Sequence, residues 1–500
     1  MTPKSKERRW VKPGVWQEAT FPSGGILWLG SVGIAVVLGI LAVDVGAAAL
    51  VVASSLLFLG FCLRFPWLAA YVALLSAFLT MPMGVPTQVP VPGFSMYLFE
   101  PFLYTAVLVA LLRVPAARVT DTASLLILLV LSAGSMISLT AGNSVTHVIS
   151  DVRSLLYFTA AFFISGRYAA NPQTQQTMKL TSIILWGSAA LILFSSVTGI
   201  PIAGRQEEAT LYLEGSGSGS GAATRIITGT TNLALPVMAG YLGLWLVGKT
   251  QKGSAMKFLL PALIVSFLGF SRNTLLGVAA ALIFALVVMG SKESLRSAIR
   301  RLLALAAATI LIFVTMPVLQ FLPGSSFIAG QLATYSSRVI EGLSQQTLAL
   351  DTSVLYRERE NLFLFQAIRE QPLFGHGFGY AYKPGEGEAG SFWADKGTIY
   401  AHNFYLWIVV KTGLLGLIGW LTLSAIPLLR VFRRRDPTTV FLGCGAAALL
   451  AVSVVAPMPL GSAGSVAIGM FVGAAATFRS AAEAVSPSGS WALRGQANPA

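Results

Sequence analysis

The chain has 500 residues, of which 55% are hydrophobic and only 11% are charged, and its formal net charge is +14. Soluble domains carry about 25% charged residues, so this composition excludes an ordinary soluble protein. A surplus of lysine and arginine can indicate nucleic-acid binding, but membrane proteins collect the same residues in their cytoplasmic loops. The composition therefore predicts an all-α, polytopic membrane protein without a nucleic-acid partner.

The first 25 residues are polar and basic, and the first apolar run follows them. No small-residue cleavage site follows a short apolar stretch, so residues 1–25 are expected to be a retained cytoplasmic tail. The two cysteines, Cys62 and Cys444, lie inside apolar runs. They therefore indicate neither a disulfide framework nor a zinc site.

Apolar stretches long enough to cross about 30 Å of hydrocarbon recur along the chain. We expect about 12–14 transmembrane helices, and fourteen candidate spans cover residues 26–43, 45–63, 67–83, 97–112, 122–141, 152–166, 180–200, 226–247, 257–271, 273–290, 303–322, 402–429, 438–457 and 460–478. With the N-terminus inside, most Lys and Arg residues fall in connections on the cytoplasmic side. The positive-inside rule therefore agrees with fourteen spans and two cytoplasmic termini, the second being the polar tail 479–500.

The remaining basic residues do not follow this rule. Lys411 lies within a predicted span, and the others map to the outer face: Arg153, Arg205, Arg225, Arg272, Arg338, Arg357, Arg359, Arg369, Lys383 and Lys396. All three histidines, His147, His376 and His402, map to the same face. Any chemistry of this protein is therefore expected on the extracytoplasmic side of the membrane.

Two outer connections are long. Residues 201–225, within the membrane region 26–322, contain a Gly/Ser run that is typical of a flexible linker. Residues 323–401 form a large extracytoplasmic loop ahead of the C-terminal spans at 402–478. A loop of this length is usually functional.

One stretch of this loop, DTSVLYRERENLFLFQAIREQP, predicts a helix that follows a capping Asp351, Thr352 or Ser353 and ends at Pro372. The helical spacing places Arg357, Asn361, Leu364 and Ile368 on one stripe. The three glycines of the following LFGHGFGYAY resemble a phosphate-binding loop only superficially, because no strand precedes them and no Gly-Lys-Ser/Thr follows. No nucleotide site is expected there.

Three outer arginines have unusual positions: Arg225 opens a span, Arg272 lies in a tight turn between spans, and Arg357 begins the loop helix. Guanidinium groups bind diphosphates through paired hydrogen bonds, and they stabilise charge on a diphosphate leaving group. His402, in HNFYL, is suited to take a proton from an acceptor hydroxyl. Other outer charges are interpreted as lipid-contacting arginines (Arg205, Arg338, Arg369) or solvated carboxylates (Glu386, Glu388, Asp395), so no metal site is expected.

These residues resemble the signature of the O-antigen ligase and polymerase superfamily, GT-C-type membrane glycosyltransferases with a large outer loop. Arg357, Ile368 and the PLFGHG that begins at Pro372 follow the loop signature, with Asn361 where the family often has Trp. The stretches HNFYL…KTGLLGL, FSRNTLLG and TRIITGTTNLALP match further family segments. The resemblance covers roughly residues 222–425.

The resemblance implies a transferase that moves a glycan from an undecaprenyl-diphosphate carrier to an acceptor sugar, with no cofactor and no required metal. Its partners would be that donor, a glycan or lipid A core acceptor, and the bilayer of the inner membrane. His402, Arg272 and Arg357 would be the catalytic residues. Arg225, Arg272, Arg357 and Arg359 would hold the donor diphosphate, and His402 with Asn403 would bind the acceptor.

Three alternatives remain open. A polymerase of lipid-linked repeats differs from a ligase only in its acceptor. A flippase or transporter of lipid-linked oligosaccharide needs internal repeats and charges near the membrane midplane, whereas Lys411 is the clearest such charge here. A non-catalytic scaffold would tolerate replacement of the outer arginines.

Overall fold

The computed structural model describes residues 57–91, 94–170, 174–208, 224–250, 253, 255–319, 325–336, 339, 352–388 and 391–478. The tails 1–25 and 479–500, the span predicted at 26–43, most of the Gly/Ser run, Arg338 and Asp351 lie outside these residues. The chain divides into two compact units, Met1–Phe65 and Pro66–Ala500. In the first unit the described residues Leu57–Arg64 are helical.

The second unit is helical, as the composition predicts. Its described α-helices are α1 Trp67–Phe78, α2 Phe99–Arg113, α3 Arg118–Thr140, α4 Val145–Ala169, α5 Thr174–Thr198, α6 Gly229–Leu246, α7 Leu260–Leu268, α8 Arg272–Met289, α9 Lys292–Leu319, α10 Ser325–Tyr335, α11 Thr352–Glu370, α12 Phe404–Arg434, α13 Pro437–Val452 and α14 Ser462–Thr477. Each span predicted between residues 67 and 478 overlaps one of these helices, and α10 and α11 lie in the large loop. The all-α membrane fold is confirmed.

Two short antiparallel ribbons are the described β-structure of this unit. One pairs β1 Gln88–Val91 with β2 Phe94–Tyr97, and the other pairs β3 Arg205–Glu208 with β4 Thr224–Ile227. The second ribbon pairs residues on either side of the Gly/Ser run in the outer connection that begins at residue 201. It places Arg205 opposite Ile227, two residues from Arg225, and side chains two residues apart share one face of a strand. Both arginines therefore lie on the same face.

Among the described residues, five helices are long and apolar enough to cross a membrane: α3, α4, residues 179–198 of α5, α8 and α12. Leu57–Arg64 and Trp67–Phe78 add a sixth if the two are counted together. The helices α13 and α14 are apolar but have only 16 residues each, whereas a span needs about 20. The count of 12–14 spans therefore stays a prediction.

Close packing of helices α4 and α14 forms much of the core. Gly469 and Gly473 of α14 are four residues apart, and a Cβ atom at either would lie 2.3 Å from the carbonyl oxygen of Phe158 or Phe162 in α4. Small residues at this spacing let two membrane helices approach closely, which increases van der Waals contact. Helices α6, α8 and α13 pack against one another beside this pair.

Helix α12 carries a kink that docks the large loop. Its 31 residues include Gly413, whose φ of 68° is non-helical, and this interruption frees backbone N–H groups inside the helix. Leu414 N donates to Pro372 O at 2.9 Å, and Leu415 N donates to Leu373 O at 3.4 Å. The loop thereby satisfies donors that a straight helix would satisfy itself.

Candidate active site

The loop helix α11 turns one narrow stripe toward the rest of the protein. Glu360, Leu364 and Ala367 are buried at spacings of four and three residues, which is the period of an α-helix. Arg357 and Asn361 lie half-buried beside this stripe. The buried face of α11 therefore contains Leu364, as predicted, but is rotated by about one residue from the predicted stripe. The buried charged residue on this face is Glu360 and not Arg357.

Glu360 is 2% exposed and accepts three hydrogen bonds. Its Oε2 accepts from the backbone N of His402 at 2.7 Å and is 3.0 Å from the Nδ1 of the same residue, and its Oε1 accepts from the Nζ of buried Lys383. Burial alone would raise the pKa of Glu360, but the bonds from His402 and Lys383 outweigh it and hold this pKa below its ordinary value. The buried carboxylate of Glu360 therefore contacts the imidazole of His402 on its Nδ1 side.

His402 directly precedes Asn403, the N-cap residue of helix α12, and the cap bonds of that helix hold this part of the backbone in place. Asn403 Oδ1 accepts from Tyr405 N at 3.0 Å and from Leu406 N at 3.1 Å, which is a regular N-cap. The His402 side chain remains 21% exposed. Within the described part of the chain its Nε2 has no hydrogen-bond partner, so one ring nitrogen is held by Glu360 and the other is available.

Three aromatic rings surround the imidazole of His402. Tyr400 and Tyr356 present their edges, with ring centroids 5.4 Å and 5.8 Å away. Trp393 lies nearly parallel to it, at an interplanar angle of 17° and a centroid distance of 6.3 Å. The apolar walls restrict water around His402, which strengthens the polar interactions that it makes.

The segment between α11 and His402 runs against the kinked helix. His376 N donates to Val410 O at 2.8 Å, and Gly377 N donates to Lys411 O at 3.0 Å. Gly375, Gly377 and Gly379 all have positive φ values, of 68°, 86° and 79°. These glycines allow the backbone to turn close to neighbouring helices.

A buried ion pair anchors the same segment. Asp151 of α4 and Lys411 of α12 lie 2.8 Å apart, at side-chain exposures of 6% and 0%. Asp151 also accepts from Gly379 N at 2.6 Å, and Lys411 donates to Tyr380 O at 2.8 Å. Each charge therefore has a charged and a backbone partner, which offsets the cost of burying it.

The structure brings two of the predicted arginines to one turn. Arg225 of β4 donates from Nε to Gly269 O at 3.1 Å. Gly269 ends α7, and Arg272, three residues later, is the first residue of α8. The first N–H groups of a helix attract anions, so the Arg272 end of α8 and the Arg225 guanidinium form one positive region.

The charges of Arg357 and Arg205 both affect the pKa of Tyr400. Burial raises the pKa of the Tyr400 hydroxyl above its ordinary value, and the Glu360 carboxylate raises it further, whereas the charges of Arg357 and Arg205 lower it. Both guanidinium groups thus act on the ring that touches His402. The interpretation of Arg205 as a lipid-contacting side chain stays a prediction.

Two predicted site residues have other contacts. The Arg359 side chain is 64% exposed and lies 3.7 Å from Glu386. Asn403 uses its side-chain oxygen to cap α12, so its visible role is to hold His402 in place. The roles assigned to these two residues from sequence stay predictions, as do those of His402, Arg225, Arg272 and Arg357. Among the described residues, no group of three or more His, Cys, Asp or Glu side chains could hold a metal ion.

Sequence reasoning missed Glu360, Lys383 and Trp393. Glu360 lies among solvated charges in RERENL, and its partners Lys383 and His402 are 23 and 42 residues away. The one available signal was its helical spacing with Leu364 and Ala367, which places a carboxylate on an otherwise apolar stripe.

Comparison with known families supports the resemblance inferred from the motifs. Residues 257–421 match the sequence profile of the family described as O-antigen ligase, and this segment contains Arg272, Arg357, Glu360 and His402. No curated protein sequence matches the chain significantly. The resemblance inferred from the motifs is thereby confirmed over residues 257–421.

Proposed function

We propose that this membrane protein transfers a glycan from an undecaprenyl-diphosphate carrier to an acceptor sugar at the outer face of the cytoplasmic membrane. The observation that carries the proposal is the pairing of His402 Nδ1 with buried Glu360, at 3.0 Å, inside the segment that matches the O-antigen ligase family. A histidine held through one nitrogen and open at the other is the arrangement of a general base.

In this mechanism the proton of neutral His402 lies on Nδ1, because Glu360 offers only acceptor oxygens. His402 Nε2 takes the proton of the acceptor hydroxyl while the hydroxyl oxygen forms a bond to the anomeric carbon of the donor glycan. The bond from that carbon to the diphosphate oxygen breaks, and its electron pair leaves with undecaprenyl diphosphate. Glu360 stays ionised and stabilises the imidazolium that forms, as a buried carboxylate does beside a catalytic histidine.

The arginines support the donor end of this reaction. Arg272 and Arg357 hold the diphosphate and offset the negative charge that develops on it, and Arg225 supports Arg272 from the adjacent turn. Paired guanidinium hydrogen bonds suit a diphosphate, and their charge stabilises the leaving group in the transition state. Exposed Arg359 is assigned a peripheral role in donor binding, since it already faces Glu386.

A ligase is our first assignment, with lipid A core sugar as acceptor, and a polymerase of lipid-linked repeats is the second. Both use the same residues and differ in the molecule that presents the hydroxyl. A flippase or transporter is the alternative of another class, and the transfer assay below distinguishes it from a transferase. The proposed location is the inner membrane, with the site extracytoplasmic and both termini cytoplasmic.

The test is glycan transfer by purified protein in detergent with a chelator present. Undecaprenyl-diphosphate-linked oligosaccharide serves as donor, and lipid A core or a second lipid-linked repeat serves as acceptor. Wild-type protein is expected to transfer, and folded Arg272→Ala and Arg357→Ala variants are expected to lose activity, while the exposed Arg369→Ala control retains it. The productive acceptor distinguishes ligase from polymerase, and transfer that survives both site changes would contradict the proposal.

A further inference from the structure

Two large aromatic side chains remain exposed beside the candidate active site. Phe392 and Trp393 lie in the turn that leads from Lys383 to His402, at 47% and 42% exposure. Large apolar side chains that stay exposed next to polar groups frequently belong to binding surfaces. The transfer mechanism described above gives neither ring a contact with a substrate.

The turn holds these rings in defined positions. Glu386 N donates to Trp393 O at 3.2 Å, and Gly397 N donates to Phe392 O at 2.6 Å. Tyr356 of the loop helix meets the Trp393 ring edge-on, with centroids 5.4 Å apart. A ring that is fixed before a ligand arrives loses little conformational entropy on binding.

The Trp393 ring and the imidazole of His402 are neighbours. They are nearly parallel, at 17° and 6.3 Å between centroids, and Tyr400 contacts both His402 and Phe392. A flat apolar ring therefore lies beside an available ring nitrogen. This pairing fits a ligand that has one apolar face and hydroxyl groups at its edge, as a sugar ring does.

Building on the proposed transfer function, we propose that Trp393 is the platform on which the acceptor sugar packs. The C–H face of the sugar lies on the indole, and one hydroxyl at its edge reaches His402 Nε2. A hydrocarbon chain fits this place less well. It would exclude water from Nε2 without offering a hydrogen-bonding group in exchange. Trp393 is therefore a specificity-determining residue for the acceptor.

The donor glycan is also a sugar, so the kinetic test separates the two sources. Trp393→Ala is expected to raise KM for the acceptor about tenfold, the factor that corresponds to about 1.4 kcal/mol of stacking free energy. KM for the donor and kcat are expected to stay unchanged, and Trp393→Phe is expected to keep most of the acceptor affinity. A rise confined to the donor KM, or no change in either, overturns the assignment.

The matched control is Trp186→Ala, which removes a tryptophan of similar exposure, 41%, from helix α5. A second measurement does not depend on turnover. Saturation-transfer NMR of full-length protein in nanodiscs, with soluble lipopolysaccharide core oligosaccharide as the probe, is expected to show sugar C–H contacts that Trp393→Ala removes and Trp186→Ala retains.

These two measurements separate the failure of this inference from the failure of the proposed function. Contacts that depend on Trp393 in a protein that transfers nothing would support the sugar platform and contradict the transferase. Transfer that requires His402 but is unaffected by Trp393→Ala, with no Trp393-dependent contacts, would contradict the platform alone.

Discussion

Glu360→Gln is the substitution whose effects follow most directly from the structure. The change keeps the shape of the side chain but removes its charge, and it replaces one acceptor oxygen by a donor NH₂ group. The two oxygens of Glu360 serve Lys383 on one side and His402 on the other. A glutamine can accept on only one side, so the substitution must break one of these two interactions.

The size of the effect follows from burial. The Lys383 and Glu360 side chains are only 4% and 1% exposed, and removing one partner of a buried ion pair costs about 3–5 kcal/mol because the other charge stays buried and unpaired. Activity is expected to fall by about 10²–10⁴-fold, the range that general-base catalysis contributes. The double variant Glu360→Gln/Lys383→Met removes the unpaired charge, so most of the stability is expected to return while activity stays low.

The assay pairs the free energy of unfolding in detergent with the rate of glycan transfer, for wild type, both single variants and the double variant. Lys383→Met is the matched single change. A Glu360→Gln protein that unfolds within about 0.5 kcal/mol of wild type and transfers at the wild-type rate would refute the reasoning. Full activity in the stable double variant would refute the role given to the Glu360 carboxylate.

Further predictions concern acid, the helix kink, the second ion pair and the cap. The pKa of Glu360 is lowered from its ordinary value of 4.5. The free energy that ionised Glu360 contributes to folding is therefore fully present above pH 4.5 and is lost as the pH falls through the lowered pKa. If the greater stability of wild type over Glu360→Gln disappeared well above pH 4.5, this would be contradicted. Gly413→Ala would place a Cβ atom 2.0 Å from a loop carbonyl oxygen, so it is expected to destabilise the folded protein by more than about 2 kcal/mol. The control Gly419→Ala has no atom within 4 Å of the new Cβ and is expected to leave stability unchanged. Equal melting temperatures of the two variants would argue against the docked kink. Asp151→Asn should cost about 3–5 kcal/mol, and adding Lys411→Met should recover part of it in a double-mutant cycle; strict additivity would contradict the pairing. Asn403→Ala should cost about 1 kcal/mol through the lost cap, and an unchanged free energy of unfolding would show that the cap is dispensable.

The helices could be predicted from the sequence because hydropathy is a local property. Each predicted span between residues 67 and 478 has a helix over it, and the loop helix was expected from its spacing and from Pro372. The boundaries were less accurate, as α9 begins at Lys292 although the apolar run was placed at 303–322. Its basic first turns are amphipathic, and a search for continuous apolar stretches passes over them.

The kink in α12 could not be predicted in the same way. Gly413, Gly416 and Gly419 lie in one apolar run, and nothing in the local sequence distinguishes the first from the others. The difference arises from tertiary contacts, because the backbone at Leu373 and Phe374 presses against Gly413. Glycine tolerates both a helical and a positive φ value, so the neighbouring segment decides which one occurs.

The site itself was predicted in part. His402 and the arginines were chosen as candidates because they map to the outer face and because placing a charge near lipid is costly. Glu360 meets His402 and Lys383 through long-range contacts that no periodicity encodes. Charged residues in a helical loop are usually solvated, so a single buried carboxylate among them carries almost no local signal.

The measurement that tests the central claim most directly is single-turnover glycan transfer by His402→Ala, compared with wild type and with His147→Ala as an outer-face control. Enzyme is in saturating excess over the donor and the acceptor is saturating, so that binding defects do not lower the rate. His402→Ala is expected to slow transfer by at least about 10²-fold, while His147→Ala stays close to wild type. A His402→Ala protein that is folded and transfers at the wild-type rate would contradict the assignment of His402 as the base.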